Sequence, residues 1–182
     1  MNKEIEKAKK VKGSMLDGDL LVLFNLTKDV PENGLIVEIG CYYGKSTSLL
    51  YYSKKESVIL FTIDTFTGTE RDQSKNQYCR MINNMVLYEF YPRIIYGSSR
   101  IGAANLFKED SIDLLFIDGW HTKDEVMTDI GSFLDKVKDG AVICGHDWTT
   151  YEGVRQGVLS FWDRSKIKTY ESEKSSIWSI QI

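Results

Sequence analysis

Proline is scarce in this chain, at two of 182 residues, and neither a low-complexity stretch nor an internal repeat accompanies it. Nothing therefore marks a linker, and the length predicts one domain, 1–182, able to bury a real core. The cysteines are Cys41, Cys79 and Cys144. Their odd number and wide spacing argue against a disulfide framework or a metal knuckle and predict reduced thiols in a cytoplasmic protein. Positive charge is not in excess, since the net charge is −3. The basic footprint of a nucleic-acid binder is thus missing. No apolar run approaches the ~20 residues of a membrane helix, and the first residues lack the apolar core of a signal peptide. No membrane partner is expected. Residues 1–12 read as a flexible or helical extension. The stretch "NKEIEKAKKVK" is rich in Lys but carries two Glu, as a solvated helix face does.

What the chain does have is a series of short apolar runs rich in β-branched residues. They are "LIVEIG" (35–40), "VILFTID" (58–64), "RIIYGSS" (93–99), "IDLLFIDG" (112–119) and "GAVICGHD" (140–147). Each is too short for a typical helix and predicts a buried strand. Between them lie helical patterns. Over 122–137, Val126, Ile130, Phe133, Leu134 and Val137 share one face, and Thr122 with Glu125 has the spacing of a capping box. Residues 14–27 and 72–90 are expected to be helical as well. Strands alternating with helices imply a parallel sheet covered on both faces. "IKTYESE" and "SIWSIQI" predict a final pair of strands, a hairpin at one edge.

The way the runs end is more informative. Glu38, Asp64, Ser98, Asp118 and Asp147 all fall at or just past a strand's C-terminal end. Ligands of open α/β sheets bind in the crevice beyond those ends. Loops are polar in any protein, a plain reading that holds for any single residue and weakens for carboxylates in register.

The stretch "EIGCYYGKSTSLL" (38–50) ends like a phosphate-binding P-loop. A P-loop has four residues between its first Gly and the GK pair. Here only Cys41, Tyr42 and Tyr43 separate Gly40 from Gly44. The dinucleotide fingerprint fails too, with Tyr at position 42. A nucleotide-binding kinase or NTPase using the GKST turn, with Asp118 to hold magnesium, remains the alternative reading. E-x-G-x-x-x-G fits the residues better, as Glu38-Ile39-Gly40-Cys41-Tyr42-Tyr43-Gly44. Asp64 follows about 20 residues past the loop, the usual offset of an acid that grips ribose hydroxyls.

This pairing resembles the class I S-adenosylmethionine (SAM) methyltransferases. "GKSTSLL", "IDTFTG", "FIDGWHTKDEVMTDI", "GAVICGHDW" and "IWSI" occur in order. Together they resemble the small bacterial methyltransferases related to macrocin O-methyltransferase and to cephalosporin-hydroxylase-like proteins, over roughly residues 11–182. The resemblance implies a Rossmann-like, doubly wound, mainly parallel seven-stranded sheet with an antiparallel C-terminal strand.

It also implies roles. Glu38, Gly40 and Gly44 form the SAM loop, and Tyr42, where many relatives have Gly, crowds or covers the cofactor. Lys45, Ser46 and Thr47 open the next helix, where Ser46 can cap or contact the SAM carboxylate. Asp64 takes the ribose, with Thr65 and Phe66 beside the nucleoside. Ser98 lies near the adenine and Asp118 near the sulfonium. Magnesium-dependent relatives hold the ion with an acid at the Asp118 position and two adjacent ligands at the next strand end, here His146 and Asp147. A histidine there suits zinc, manganese or iron better than magnesium, or no metal at all.

Both histidines of the chain follow acidic strand ends, in "DGWH" (118–121) and "GHD" (145–147). Relatives carry a Lys or His base at the position of His121, and a free imidazole, with a pKa of about 6.5, accepts protons at neutral pH. The plain alternative is a histidine that caps the next helix or packs on Trp120. Tyr78, Met81, Met85, Tyr88, Phe90 and Tyr91 form a stripe of the kind that is most often core. The secondary reading is that it walls an acceptor pocket or makes a homo-oligomer contact, and the same holds for Trp148, Tyr151, Phe161 and Trp162. The expectation is a cytoplasmic O-methyltransferase for a small hydroxylated acceptor, a sugar, glycan precursor or natural product. A non-catalytic SAM-binding relative is the third reading.

Overall fold

The computed structural model describes residues 2–68 and 76–182, with Ile101 described by its backbone alone. The elements are α1 (Lys3–Lys9), α2 (Asp17–Asp29), β1 (Leu35–Ile39), α3 (Lys45–Ser53), β2 (Ile59–Asp64), α4 (Gln77–Tyr88) and β3 (Arg93–Tyr96). They continue with β4 (Ile112–Ile117), α5 (Lys123–Phe133), β5 (Val137–Gly145), α6 (Glu152–Leu159), β6 (Lys168–Thr169) and β7 (Trp178–Gln181). The strands form one seven-stranded sheet in the order β3-β2-β1-β4-β5-β7-β6. β1 to β5 are parallel, while β7 runs antiparallel to β5 and pairs antiparallel with β6 at the edge. This is the mainly parallel, Rossmann-like sheet that the sequence resemblance implies.

Both faces of the sheet are covered, which is why the strands read as near-continuous apolar runs. Val37, Ile39, Leu115, Ile117 and Ile143 pack against Val126, Ile130 and Phe133 of α5 and Val154 and Val158 of α6. Ile36, Leu60, Leu114 and Phe116 face the other way, against Leu20 and Leu23 of α2 and Leu49 and Leu50 of α3. Side chains alternate along a strand. Glu38 therefore shares the parity of Ile36 and points to the α3 side.

The helices depart from their expected bounds for local reasons. The α2 helix starts at Asp17 rather than residue 14, because Asp19 Oδ2 accepts the Leu16 N–H at 2.8 Å and fixes the first turn there. The stretch expected over 72–90 is helical from Gln77 to Tyr88, ended by Glu89 in the left-handed region at φ 55°. Residues 72–75 lie outside the described residues. The helix expected over 122–137 is α5 followed by a 3-10 turn, Leu134–Lys136, and Thr122 caps it by accepting from the Glu125 N–H at 3.4 Å. The N-terminal segment forms α1, with Ile5 and Ala8 buried, so one face is docked and only the other is solvated. Of the aromatic stripe, Met81 and Phe90 are core, while Tyr78 and Tyr91 are exposed.

Strand order reverses between β1 and β4, the switch point where such sheets leave a crevice. Backbone bonds hold its rims level: Gly40 N donates to Ile63 O, Asp118 N to Ile39 O, and His146 N to Ile117 O.

Candidate active site

The floor of the crevice is the turn after β1. Gly40 sits at φ 84° and Tyr42 at φ 49°. A Cβ on Gly40 would stand 2.2 Å from the Asp118 carbonyl oxygen, so only glycine fits there. Asp64, ending β2, ties the turn down. Its Oδ2 accepts from Cys41 N at 2.8 Å and Tyr42 N at 3.0 Å, and its Oδ1 accepts from Phe66 N at 2.7 Å. Glu38 lies beneath, fully buried, and accepts from Ser46 Oγ at 2.5 Å and Thr47 Oγ1 at 2.6 Å. Burial pushes its pKa up to about 7, against the pull of those two hydroxyls. Glu38 thus joins β1 to the start of α3.

Two cavities open above the turn. The larger, of ≈ 410 Å³, is lined by Gly40, Tyr42, Asp64, Thr65, Ser98, Ser99, Asp118, His121 and Asp129 among others. The smaller, of ≈ 160 Å³, is lined by Gly13–Met15, Lys45, Ser46, His146, Asp147 and Tyr151. Gly40, Tyr42, Asp118, Gly119 and His121 border both.

At that border lies a cluster of acids and imidazoles. His121 Nε2 is 3.0 Å from Asp147 Oδ2, and its ring stacks on Tyr151 with centroids 4.2 Å apart, rather than on Trp120. Its Nδ1 is buried and has no hydrogen-bond partner among the described residues. His146 Nε2 is 3.1 Å from Asp19 Oδ2, while its Nδ1 faces Asp147 Oδ2 at 3.4 Å and Asp118 Oδ1 at 3.5 Å. Burial alone would hold His146 neutral, but Asp118, Asp147 and Asp19 outweigh it and raise its pKa well above the usual value. Burial likewise opposes charge on Asp147, yet His121 and His146 hold its carboxyl below the usual range. Among the described residues, Asp118, His121 and Asp147 offer donor atoms that all lie within 4.8 Å of one another, as a metal would need.

The expected site residues divide accordingly. Gly40, Tyr42, Asp64, Thr65, Ser98, Asp118 and His121 line the larger cavity, and Ser46, His146 and Asp147 the smaller. Glu38 and Gly44 line neither. Lys45 places Nζ 3.4 Å from the Gly13 carbonyl, beside the smaller cavity. The turn's Cys41 and Tyr42 N–H groups, which a P-loop would aim at phosphate, instead bind a carboxylate.

Asp19 and Asp129 escaped the sequence reading. Asp129 lines the larger cavity, takes a hydrogen bond from Ser99 Oγ, and has its pKa raised to about 6 by burial. A signal existed, since Asp129 falls on the same helix face as Val126, Ile130 and Phe133, an acid within an apolar stripe. Asp19 gave none, because its partner His146 lies 127 positions away.

The family described as a methyltransferase domain matches residues 37–148, from β1 to just past β5. Among solved structures, a protein from Corynebacterium glutamicum aligns with TM-score 0.72 at 10% identity, covering 100% of this chain and 90% of its own. An O-methyltransferase from Bacillus cereus in complex with SAH (S-adenosylhomocysteine) aligns with TM-score 0.65 at 15% identity, covering 100% of this chain and 92% of its own. CalS11, a calicheamicin methyltransferase, aligns with TM-score 0.67 at 12% identity, covering 89% of this chain and 76% of its own. At such identities these likenesses speak to the fold, whereas the matched domain spans more than half of the sequence, and the chain belongs to the methyltransferase-domain family.

Proposed function

We propose that this chain is a SAM-dependent O-methyltransferase acting on a small hydroxylated molecule, a sugar or natural product. The observation that carries the reading is the shared border of the two cavities, formed by Gly40, Tyr42, Asp118, Gly119 and His121. A donor in one cavity and an acceptor in the other would meet there, beside an imidazole. In this reading SAM lies in the larger cavity. Its ribose is at Asp64 and Thr65, its adenine at Ser98 and Ser99, and its amino-acid end is over the turn. Tyr42 covers it and Asp118 lies by the sulfonium.

The acceptor occupies the smaller cavity. Its oxygen attacks the sulfonium methyl in line; the new O–C bond forms as the C–S bond breaks, and the electron pair stays on sulfur to leave SAH. The hydroxyl proton must go to a base. His121, which borders both cavities with its Nε2 3.0 Å from Asp147 Oδ2, is the group in reach to serve as that base, and Asp147 stabilises the imidazolium. The O-methyltransferase crystallised with SAH and CalS11, described as a TDP-rhamnose 3'-O-methyltransferase, support cofactor and acceptor class by analogy.

A divalent ion is also implied by the family resemblance. The donors suit one, because His146 Nδ1 faces both Asp118 Oδ1 and Asp147 Oδ2 at the wall of the smaller cavity. Bound there, an ion would make the acceptor hydroxyl easier to ionise. Asp118, His146 and Asp147 would hold it, while His121 still takes the proton.

The kinase or NTPase reading is less favoured, because the Asp64 carboxylate fills the turn where a phosphate would sit. No helix among the described residues is long and apolar enough to cross a membrane, and a cytoplasmic setting fits the reduced cysteines. Calorimetry with SAM, SAH, ATP and NAD side by side tests the proposal. SAM and SAH should bind and ATP should not. ATP binding lost in Lys45→Ala, with no affinity for SAH, would overturn it.

A further inference from the structure

We infer that Asp19 is a positioning residue that turns His146 Nδ1 toward Asp118 and Asp147, giving a mixed nitrogen–oxygen site that selects a transition ion such as zinc over magnesium. The inference rests on the methyltransferase reading only for its setting. Its substance is the geometry around His146.

Asp19 lies on α2, far from the strand ends in sequence, and is fully buried. It is held from several sides. Oδ1 accepts from Ser175 Oγ at 2.9 Å and Ser176 N at 2.7 Å, and Oδ2 accepts from Leu16 N at 2.8 Å. Oδ2 also meets His146 Nε2 at 3.1 Å. A carboxylate fixed in this way holds the Nε2 proton and commits Nδ1 to the opposite side, where an incoming ion would displace the second proton that Asp118 and Asp147 favour in its absence. His146 is itself only 8% exposed, so its ring has little freedom to turn away. A histidine that gives one N–H to a carboxylate and aims the other nitrogen at a cluster of ligands is the usual arrangement around a bound transition metal.

The spacings agree. Nδ1 stands 3.4 Å from Asp147 Oδ2 and 3.5 Å from Asp118 Oδ1, longer than the roughly 2.7–3.2 Å of a good N–H···O bond. Donors about 2.1 Å from a tetrahedral ion are separated by about 3.4 Å. Magnesium demands oxygen ligands in near-octahedral order and keeps several waters. An imidazole nitrogen held among the ligands works against it and favours zinc or iron.

The test is calorimetry on metal-stripped protein titrated with zinc, manganese and magnesium chlorides, together with the visible spectrum of the cobalt-loaded protein. Wild type should take up zinc at least about tenfold more tightly than magnesium, with the intense cobalt bands of a nitrogen-containing, low-coordinate site. Asp19→Asn should lose about 10- to 100-fold in zinc affinity. His146→Asp, which supplies an oxygen instead, should reverse the preference toward magnesium and bleach the cobalt bands. Wild type that takes up no zinc, or that prefers magnesium, would overturn the inference, as would a preference unchanged in His146→Asp. SAH affinity measured on the same samples separates the two readings. SAH bound without zinc sinks this inference alone; zinc bound without SAH sinks the methyltransferase reading alone.

Discussion

Glu38 on β1 and Ser46 on α3 are joined by a 2.5 Å hydrogen bond in the fully buried layer beneath the glycine turn. The carboxyl there has a folded-state pKa of about 7 against an ordinary 4.5. The folded state holds a proton that the unfolded chain releases between those values. The stability this confers is full below about pH 4.5 and is lost as pH rises through about 7, up to ~3 kcal/mol in all. Glu38→Gln should remove that slope and raise the melting temperature relative to wild type above pH 7. Thermal melts of both proteins from pH 5 to 8 check it, and parallel curves would show that Glu38 does not titrate there.

Asp64 should matter to the cofactor twice, by holding the turn through Cys41 and Tyr42 and by facing the larger cavity. Asp64→Ala should weaken SAH binding by ~1.5–3 kcal/mol, about 10- to 150-fold. Lys45→Ala, beside the smaller cavity only, should leave SAH affinity within about twofold. Calorimetry on the two variants decides the matter. The reverse ranking would return the turn to a nucleotide.

The difference between what could and could not be read from the sequence is visible in these residues. Asp64, Asp118 and Asp147 were legible because each ends a β-branched run, and parallel strands bring their C-terminal ends together whatever the intervening helices do. Glu38 was legible as a strand-end acid, but its direction was not drawn out. It shares parity with Ile36, so it turns toward α3 and serves the turn's foundation rather than lining the crevice. β6, two residues long, was recognisable only as one half of a hairpin with β7. Asp19 could not be found, because local pattern shows only a polar residue in the first turn of a helix, and its meaning depends on a contact across nearly the whole chain.

His121 should be needed for turnover and not for cofactor binding. Its Nε2 is engaged by Asp147 and its ring is clamped on Tyr151, a geometry suited to a base. His121→Ala should lower kcat by about 10²–10⁴-fold while SAH affinity changes little. Single-turnover methylation of a panel of sugar and phenolic acceptors, alongside calorimetry, separates the two effects. Full activity in the variant would remove His121 from the mechanism.

Asp129 offers a way to see the cofactor's charge from inside the cleft. Burial raises its carboxyl to about 6, and it lines the larger cavity beside Ser99, whose hydroxyl donates to it. Below that pH it is neutral; above it, a negative charge borders the space assigned to SAM. SAM carries a positive sulfonium and SAH does not. Ionising Asp129 should therefore favour SAM over SAH, by roughly two- to tenfold for charges separated by several ångströms in a partly solvated cleft. The ratio of SAM to SAH affinity should rise between pH 5 and 7 in wild type and stay flat in Asp129→Asn. The sign for stability is opposite. A carboxyl with a raised folded pKa stabilises the fold below its ordinary 3.8, and that contribution fades as pH passes about 6. Wild type should therefore gain SAM selectivity while losing stability over the same pH window, and Asp129→Asn should do neither. A SAM-to-SAH ratio that climbs equally in both proteins would place the titrating group elsewhere.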